Sequence, residues 1–499
     1  MQTLKKMWDE KPLLVVMLAA ILARAVAVIF AKGYGMSDDH FEVLEIARNW
    51  LDGEKIDRLN PSAHGVIYPG LHYLLFLGFK KAGAYLPDMI MYVVRFLHAA
   101  FSLITVYFGY RIVLLRSDKK VAAEAGLLLA ILWVFPFMSV RNLIEMVCVP
   151  FVVMGFYFGL RSEDTGKSAM ALLSGMLLGL ACVFRFQTCL FAGGMGAVYL
   201  FHRQLWSAVL FGISFAASAF ALQGTSDWIV YGRPLITFIH NYTYNATHAY
   251  SYITLPWYTY IFTIMGALIP PTSFLLMYGF LRTWKRVDLL FWPTLLFLVF
   301  HSSFPNKQER FILPALPMMI ILGVIGWREC AAQSPFWKGH SRLHAGLWRW
   351  FWCVNILLLL VVSTTYSKRA RVETMNYLHG TNDLKAILLE SSDASLPLPP
   401  VFYLDKNVPF YYLTGTTTVD SLRRAIENQG VAPNYIVMVN RKHFEERKER
   451  LRALFPKLEF CADIQPSFID RVLYFLNPRH NANEQCTIFR APVIVSGEG

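Results

Sequence analysis

The sequence predicts a polytopic α-helical membrane protein with about eleven spans and a small soluble α/β domain after them. Three observations predict it. Of 499 residues, 55% are hydrophobic and only 16% are charged, where a soluble protein carries about 25% charged residues. Apolar runs of membrane-crossing length recur over residues 1–365. From Tyr366 the charge rises, and short strand-like runs alternate with helix-like ones over roughly 130 residues, a normal domain size.

Composition also excludes. The net charge of +13 lies mostly in short Lys/Arg links between apolar runs. That is the positive-inside pattern of a membrane protein, so no nucleic-acid partner is expected. No HExxH, paired CxxC, Walker loop or GxGxxG appears, so there is no zinc or nucleotide signature. Cys148, Cys182, Cys189 and Cys353 lie in apolar runs and read as small core residues. Cys461 and Cys486 could pair if the outer compartment is oxidising.

The first run, residues 12–31, follows Lys5, Lys6 and Lys11 and ends in no clear cleavage site, so it reads as a retained span. Arg24 lies inside it, either functional or snorkelling outward. Residues 33–58 carry adjacent carboxylates, Asp38 and Asp39, ahead of Phe41, Leu44, Glu45 and Arg48 at helical spacing. The pair should sit at a helix N-terminus, where free N–H groups stabilise negative charge. There a carboxylate can cap the helix or take a proton from a hydroxyl. Residues 64–83 suit a helix lying in the interface, with Lys80 and Lys81 at its wet end.

Spans follow near 92–114, 121–139, 142–160, 168–184, 188–201 and 206–222. A long polar loop is expected over 223–256, with further spans near 257–280, 288–304, 311–326 and 351–365. The basic links place the N-terminus inside. The Asp38–Asp39 loop, residues 223–256, the turn 305–310 and the C-terminal domain then lie outside. In that domain 400–405, 434–440 and 471–477 read as strands. Residues 421–429 and 442–455 read as helices, and no catalytic constellation is visible.

The outer segments carry the chemistry. Asp227, Tyr231, His240, Asn245 and Trp257 put hydrogen-bonding and aromatic groups beside the membrane, which a sugar site needs and which an aromatic belt also supplies. Lys307, Glu309 and Arg310 sit at the mouth of a span and could grip a phosphate or anchor at the interface. Arg141, Asn142, Glu145 and Arg185 form a third group, readable as ordinary ion pairs.

In their order these motifs resemble the mannosyltransferases that build GPI anchors and lumenal N-glycan arms, within the GT-C superfamily. The resemblance runs over roughly 20–320. It rests on Ser37-Asp38-Asp39-His40-Phe41-Glu42-Val43-Leu44-Glu45 after the first span. It continues through Asp227, Tyr231-Gly232, Tyr244-Asn245 and Pro256-Trp257. It ends in Asn306-Lys307-Gln308-Glu309-Arg310-Phe311, like the family's HKExRF motif. Asn306 replaces the usual His, Gln308 the usual Glu, and Asp39 the second acidic Glu, departures that would suit a bacterial branch.

The resemblance implies an inverting glycosyltransferase with a GT-C transmembrane domain over 1–365, an outer catalytic loop over 33–91, and an extracytoplasmic domain over 366–499. Its donor would be a polyprenyl- or dolichyl-phosphate sugar, with mannose the expected sugar, and its acceptor a glycan or glycolipid. Asp38 is the expected base and Asp39 orients the acceptor, while Lys307, Arg310 and Arg185 hold the donor phosphate. His40, Glu45, Asp227, Tyr231, Asn245 and Trp257 are expected to bind substrate. No cofactor beyond the lipid-linked sugar and membrane lipids is implied. Two adjacent carboxylates could hold a divalent metal, but the resemblance requires none. The expected location is a bacterial inner membrane with a periplasmic active face, or the endoplasmic reticulum with a lumenal one. The alternatives are another GT-C branch, such as a lipid A aminosugar transferase or protein O-mannosyltransferase, and a lipid or solute transporter. The absence of an internal repeat argues against the transporter.

Overall fold

The computed structural model describes residues 2–36, 40–54, 56–58, 61–62, 64–393, 398–478, 481 and 484–491. The chain forms two units: Met1–Ala31, Ile46–Ala84 and Met91–Thr364 make the first, and Lys32–Glu45, Tyr85–Ile90 and Thr365–Gly499 the second.

In the first unit every expected apolar segment is helical. Among the described residues, six helices are long and apolar enough to cross a membrane: Pro12–Phe30, Pro87–Arg116, Ile144–Thr165, Leu205–Tyr231, Glu309–Gln333 and Ser341–Ser363. A seventh is the pair Thr259–Ala267 and Thr272–Arg282, bent by 115°. The bend falls where Pro270 and Pro271 remove two backbone donors. Three further apolar helices, Ser168–Phe184, Phe186–Phe201 and Asp288–Ser303, are shorter. The segment expected at 121–139 is broken into Lys119–Ile131 and Val134–Met138. Asn355 spans that break, donating to Ile131 O at 2.9 Å and accepting from Trp133 N at 2.9 Å. A bridge of this kind is needed where no water can satisfy a freed backbone group.

Arg24 does not snorkel. It is buried and donates to Ser102 Oγ at 2.6 Å and to Ala130 O at 2.9 Å. Its cation therefore meets the last carbonyls of Lys119–Ile131, the end where a helix favours positive charge.

Small residues let helices approach closely, as in other membrane bundles. A Cβ on Gly279 would fall 2.1 Å from Gly323 O, so Thr272–Arg282 and the helix Leu316–Gln333 touch backbone to backbone. Gly175 plays the same part between Ser168–Phe184 and Leu205–Tyr231, where a Cβ would lie 2.2 Å from Phe211 O.

Residues 223–256 are not a loop. The span runs on to Tyr231, and a second helix, Ile236–Thr247, follows. The many polar and β-prone residues of this stretch hid a helix that is only partly apolar.

The second unit carries a five-stranded sheet: β1 Ile387–Glu390, β2 Phe410–Leu413, β3 Tyr435–Val439, β4 Glu459–Ile464 and β5 Cys486–Arg490. The order is β2-β1-β3-β5-β4, with β1 parallel to β2 and β3, and β5 antiparallel to β3 and β4. Leu388, Ile436, Met438 and Phe489 pack with Leu422 and Leu451 from helices Val419–Gln429 and Phe444–Leu454. Arg447 and Glu390 form a buried pair, and Arg447 also donates to Asn440 Oδ1 at 2.9 Å and Lys442 O at 2.8 Å. A buried ion pair is tolerable when such hydrogen bonds complete it.

Two expected strands are helices. Residues 400–405 contain the short turn Val401–Leu404, and 471–477 lie in the helix Phe468–Leu476. Ser467 caps the latter through a capping box with Asp470, a local signal that outweighs the β propensity of Val, Leu, Tyr and Phe. Cys461 and Cys486, which the sequence allowed to pair in an oxidising compartment, are both free. Cys486 lies opposite Ile464, three positions from Cys461. At ~3.3 Å per residue that is beyond disulfide reach.

Candidate functional site

The expected base Asp38 and its neighbour Asp39 lie outside the described residues. Just after them His40–Glu45 winds as a π-helix within the second unit. The His40 ring stacks on Tyr34, centroids 4.6 Å apart, and on Tyr403 at 5.7 Å. Its Nε2 is 3.3 Å from Glu45 Oε1, which also accepts from Phe402 N at 2.8 Å. Both expected substrate ligands thus fasten the turn to Val401–Leu404. Nearby, Tyr34 is pushed up to about 12 by burial, although Arg371 beside it opposes the shift.

In the first unit three distant segments meet. Glu145 stands in the first turn of Ile144–Thr165, an end that favours a carboxylate. Arg185 follows the last residue of Ser168–Phe184, an end that favours a cation. Arg310 lies in the 3-10 helix Glu309–Ala315. Glu145 Oε1 is 2.6 Å from Arg185 Nη1 and 3.7 Å from Arg310 Nε. The Phe311 ring lies 4.8 Å from the Arg185 guanidinium and 5.6 Å from that of Arg310. All three charged groups are buried.

Among the described residues the group holds one carboxylate and two guanidiniums. Among the described residues Glu145 Oε2 and Arg185 Nε have no hydrogen-bond partner. Buried polar groups are normally paired, so an unsatisfied donor in a cationic cluster marks where an anion fits.

Lys307 is directed elsewhere. Its ammonium donates to Ser302 O at 2.9 Å, His301 O at 3.4 Å and Phe304 O, capping Asp288–Ser303, and lies 5.5 Å from the Tyr260 ring centre. The two motif segments are stitched together around it. Lys307 N donates to Ile253 O at 3.2 Å, and Leu255 N to Pro305 O at 3.4 Å. Gln308 N and O both meet the Tyr260 hydroxyl at 3.2 Å.

Of the other expected substrate ligands, Asp227 is buried and fully engaged. Thr237 N donates to it at 3.0 Å and Gln223 Nε2 at 2.8 Å, so it joins Leu205–Tyr231 to Ile236–Thr247. Tyr231 accepts from Ser62 N at 3.2 Å and lines a cavity. Asn245 donates to Asn241 O at 2.8 Å, one helical turn back. Trp257 is 65% exposed. His240 stacks loosely on Tyr244 at 6.4 Å.

Sequence reasoning placed Arg185 and Arg310 among the ligands but left Glu145 as an ordinary partner. The signal was its position at a helix start inside an apolar run. Among the described residues one group, Glu163, His202 and Asp288, is close enough to hold a metal. Its geometry suits hydrogen bonding instead, because Glu163 faces His202 Nδ1 at 3.3 Å and Asp288 faces Nε2 at 2.8 Å.

Known proteins share the fold of this chain. An ArnT structure from Cupriavidus metallidurans bound to undecaprenyl phosphate superposes with a TM-score of 0.60 at 13% identity, covering 97% of this chain and 99% of that one. The Archaeoglobus fulgidus oligosaccharyltransferase with zinc and sulfate gives 0.57 at 12% identity, over 86% and 68%. At such identities the likeness shows the fold alone. GPI mannosyltransferase 3 of Saccharomyces cerevisiae is 27% identical over 184 residues, 34% of this chain. The match spans 29% of that relative's length. The Alg9-like mannosyltransferase family model matches residues 15–392, and the chain belongs to that family.

Proposed function

We propose that this protein transfers a sugar, mannose by family, from a polyprenyl- or dolichyl-phosphate donor to a glycan or glycolipid acceptor. The observation that carries the reading is the buried Glu145–Arg185–Arg310 cluster, in which Arg185 Nε has no hydrogen-bond partner among the described residues. Such a cluster suits the phosphate of a lipid-linked donor. Undecaprenyl phosphate bound to ArnT and dolichol-phosphate bound to the archaeal AglB, which share this fold, support that assignment.

The acceptor hydroxyl attacks the anomeric carbon as the bond from that carbon to the phosphate oxygen breaks. Its proton passes to a carboxylate, for which Asp38 matches the family motif, with Asp39 orienting the acceptor. The guanidiniums of Arg185 and Arg310 offset the charge gathering on the departing phosphate. Lys307 adds charge and shapes the turn by capping the helix end beside them. A single displacement inverts the anomeric centre, so a β-linked donor gives an α-linked product. The reaction needs no cofactor besides the lipid-linked sugar. The active side is the outer one, periplasmic in a bacterial inner membrane or lumenal in the endoplasmic reticulum.

The test uses the purified full-length protein in nanodiscs with polyprenyl-phosphate [¹⁴C]mannose and a mannose-terminated glycolipid. Label should move to the glycolipid, and Arg185→Gln should abolish the movement. Transfer that is unaffected by Arg185→Gln and Arg310→Gln together would remove the phosphate assignment.

A further inference from the structure

The first unit contains a cavity of about 210 Å³ apart from the charged cluster. Asn49, Trp50, Glu54, Asp57, Ser62 and Tyr231 line it. Asn49 and Trp50 come from the helix Ile46–Leu51, and Tyr231 is the last residue of the span Leu205–Tyr231. The hydrogen bond from Ser62 N to the Tyr231 hydroxyl holds the two walls together. Trp50 is braced edge-on by Tyr73, with centroids 6.4 Å apart.

This lining mixes an indole and a phenol with two carboxylates, an amide and a hydroxyl. A pyranose ring has the matching surface. Its C–H face packs on an aromatic plane, and its rim of hydroxyls donates to carboxylates and exchanges hydrogen bonds with amides. The volume lies below the ~300–1,000 Å³ of sites for drug-sized ligands, so it suits one ring rather than a chain. The two carboxylates would repel a lipid phosphate but would accept hydrogen bonds from hydroxyls.

The cavity also adjoins the segment that presents Arg185. Gly65 lines it, and a Cβ there would fall 3.3 Å from Val183 O, two residues before Arg185. The same Cβ would fall 2.9 Å from Gln223 Oε1, a buried acceptor with no hydrogen-bond partner among the described residues. Glycine at this position lets the cavity wall lie directly on both.

We infer that this cavity is a subsite for a single hexopyranose, the terminal sugar of the acceptor. The assignment to the acceptor rests on the proposed transferase reading, while the binding of a sugar ring here does not. The cavity faces carboxylates towards the ring that must supply a nucleophilic hydroxyl, and the guanidinium cluster takes the anion.

The experiment is saturation-transfer NMR of methyl α-D-mannopyranoside with the full-length protein in detergent, alongside transfer kinetics. Wild type should saturate the sugar protons. Trp50→Ala and Asp57→Asn should each weaken binding at least tenfold, while Trp50→Phe, which keeps an aromatic face, should stay within threefold. In transfer assays the same variants should raise KM for the acceptor and leave KM for the donor unchanged. Glu54→Gln serves as a further variant if Trp50→Ala fails to elute as wild type does. No saturation in wild type, displacement of the sugar by inorganic phosphate, or wild-type binding in both Trp50→Ala and Asp57→Asn would overturn the subsite. A raised donor KM in place of the acceptor KM would overturn its assignment to the acceptor. Sugar binding that depends on Trp50 without any transfer would sink the transferase reading and leave the subsite standing.

Discussion

Arg310 shows how one side chain can divide two readings. Its Nε donates to Gln308 Oε1 at 2.8 Å and lies 3.7 Å from Glu145, so the guanidinium is oriented rather than merely charged. An interfacial anchor tolerates Arg310→Lys because the charge remains, whereas a phosphate fork loses its paired donors. Arg310→Lys should therefore raise the apparent KM for the lipid donor with a smaller effect on the acceptor. Steady-state kinetics on normally inserted protein check this. Glu145 makes the complementary case. Removing a carboxylate from a buried ion pair costs ~3–5 kcal/mol because the partner charge stays behind. Glu145→Ala should thus lower the detergent-solubilised melting temperature more than any surface Glu→Ala change. Undecaprenyl phosphate should restore more stability to Glu145→Ala than to wild type, since it would supply the missing negative charge. At Asp38 the family motif predicts that Asp38→Asn reduces transfer by about 100-fold or more, with expression unchanged. Activity within about tenfold of wild type would place the base elsewhere.

Helix packing and sheet chemistry give predictions at the scale of elements. Gly279 leaves no room for a side chain against Gly323, and Gly326 none against Gly279 O, where a Cβ would fall 2.0 Å away. Overpacking of this kind costs typically ~1–3 kcal/mol. Gly279→Val should therefore lower thermal stability and separate Thr272–Arg282 from Leu316–Gln333, read as lost cysteine cross-linking between the two helices. In the sheet, Asp383 is held below the usual carboxylate range first by the Tyr435 hydroxyl, which donates to it at 2.8 Å, and then by Arg490. A lowered folded-state pKa contributes stability above the unfolded value, and that contribution fades as pH falls through the folded value. At pH 7 Asp383→Asn should speed hydrogen exchange of the β3 amides relative to wild type. The difference should begin to shrink only as pH falls below about 4, the unfolded Asp value, and the two proteins should converge once pH is below the lower folded value. A difference that persists unchanged at low pH would assign the effect to something other than this carboxylate.

The whole molecule is a membrane bundle and a sheet domain, each with its own core. The alternation of basic links predicts that Tyr250 and Lys285 lie on opposite sides of the bilayer. Tyr250 is 80% exposed, which makes that position a usable labelling site. In a cysteine-free background, Tyr250→Cys should react with an impermeant maleimide from outside and Lys285→Cys only after the membrane is opened. Equal reactivity of both in sealed vesicles would reverse the topology.

By itself the sequence determined the helical membrane class, the approximate places of the apolar helices and the sheet domain after residue 365, because burial in lipid demands long apolar runs that the sequence records directly. It also determined the family, through short motifs whose residues lie close together in the chain. Local pattern was a poorer guide where two tendencies competed. The Ser467 capping box turned a β-prone run into helix, and the partly apolar stretch after Gln223 proved to be two helices. The meeting of Glu145, Arg185 and Arg310 was decided only by tertiary structure. These three residues lie on separate segments up to 165 positions apart in the numbering, and charge partners at that separation leave no periodic trace. The same holds for the cavity, where Trp50 and Tyr231 meet across segments that no spacing relates. It holds too for Asp227 and Lys307, which looked like substrate ligands in the sequence. Folding gave Asp227 to Thr237 and Gln223, and Lys307 to the carbonyls of a helix end, because buried polar groups must first be satisfied by their neighbours.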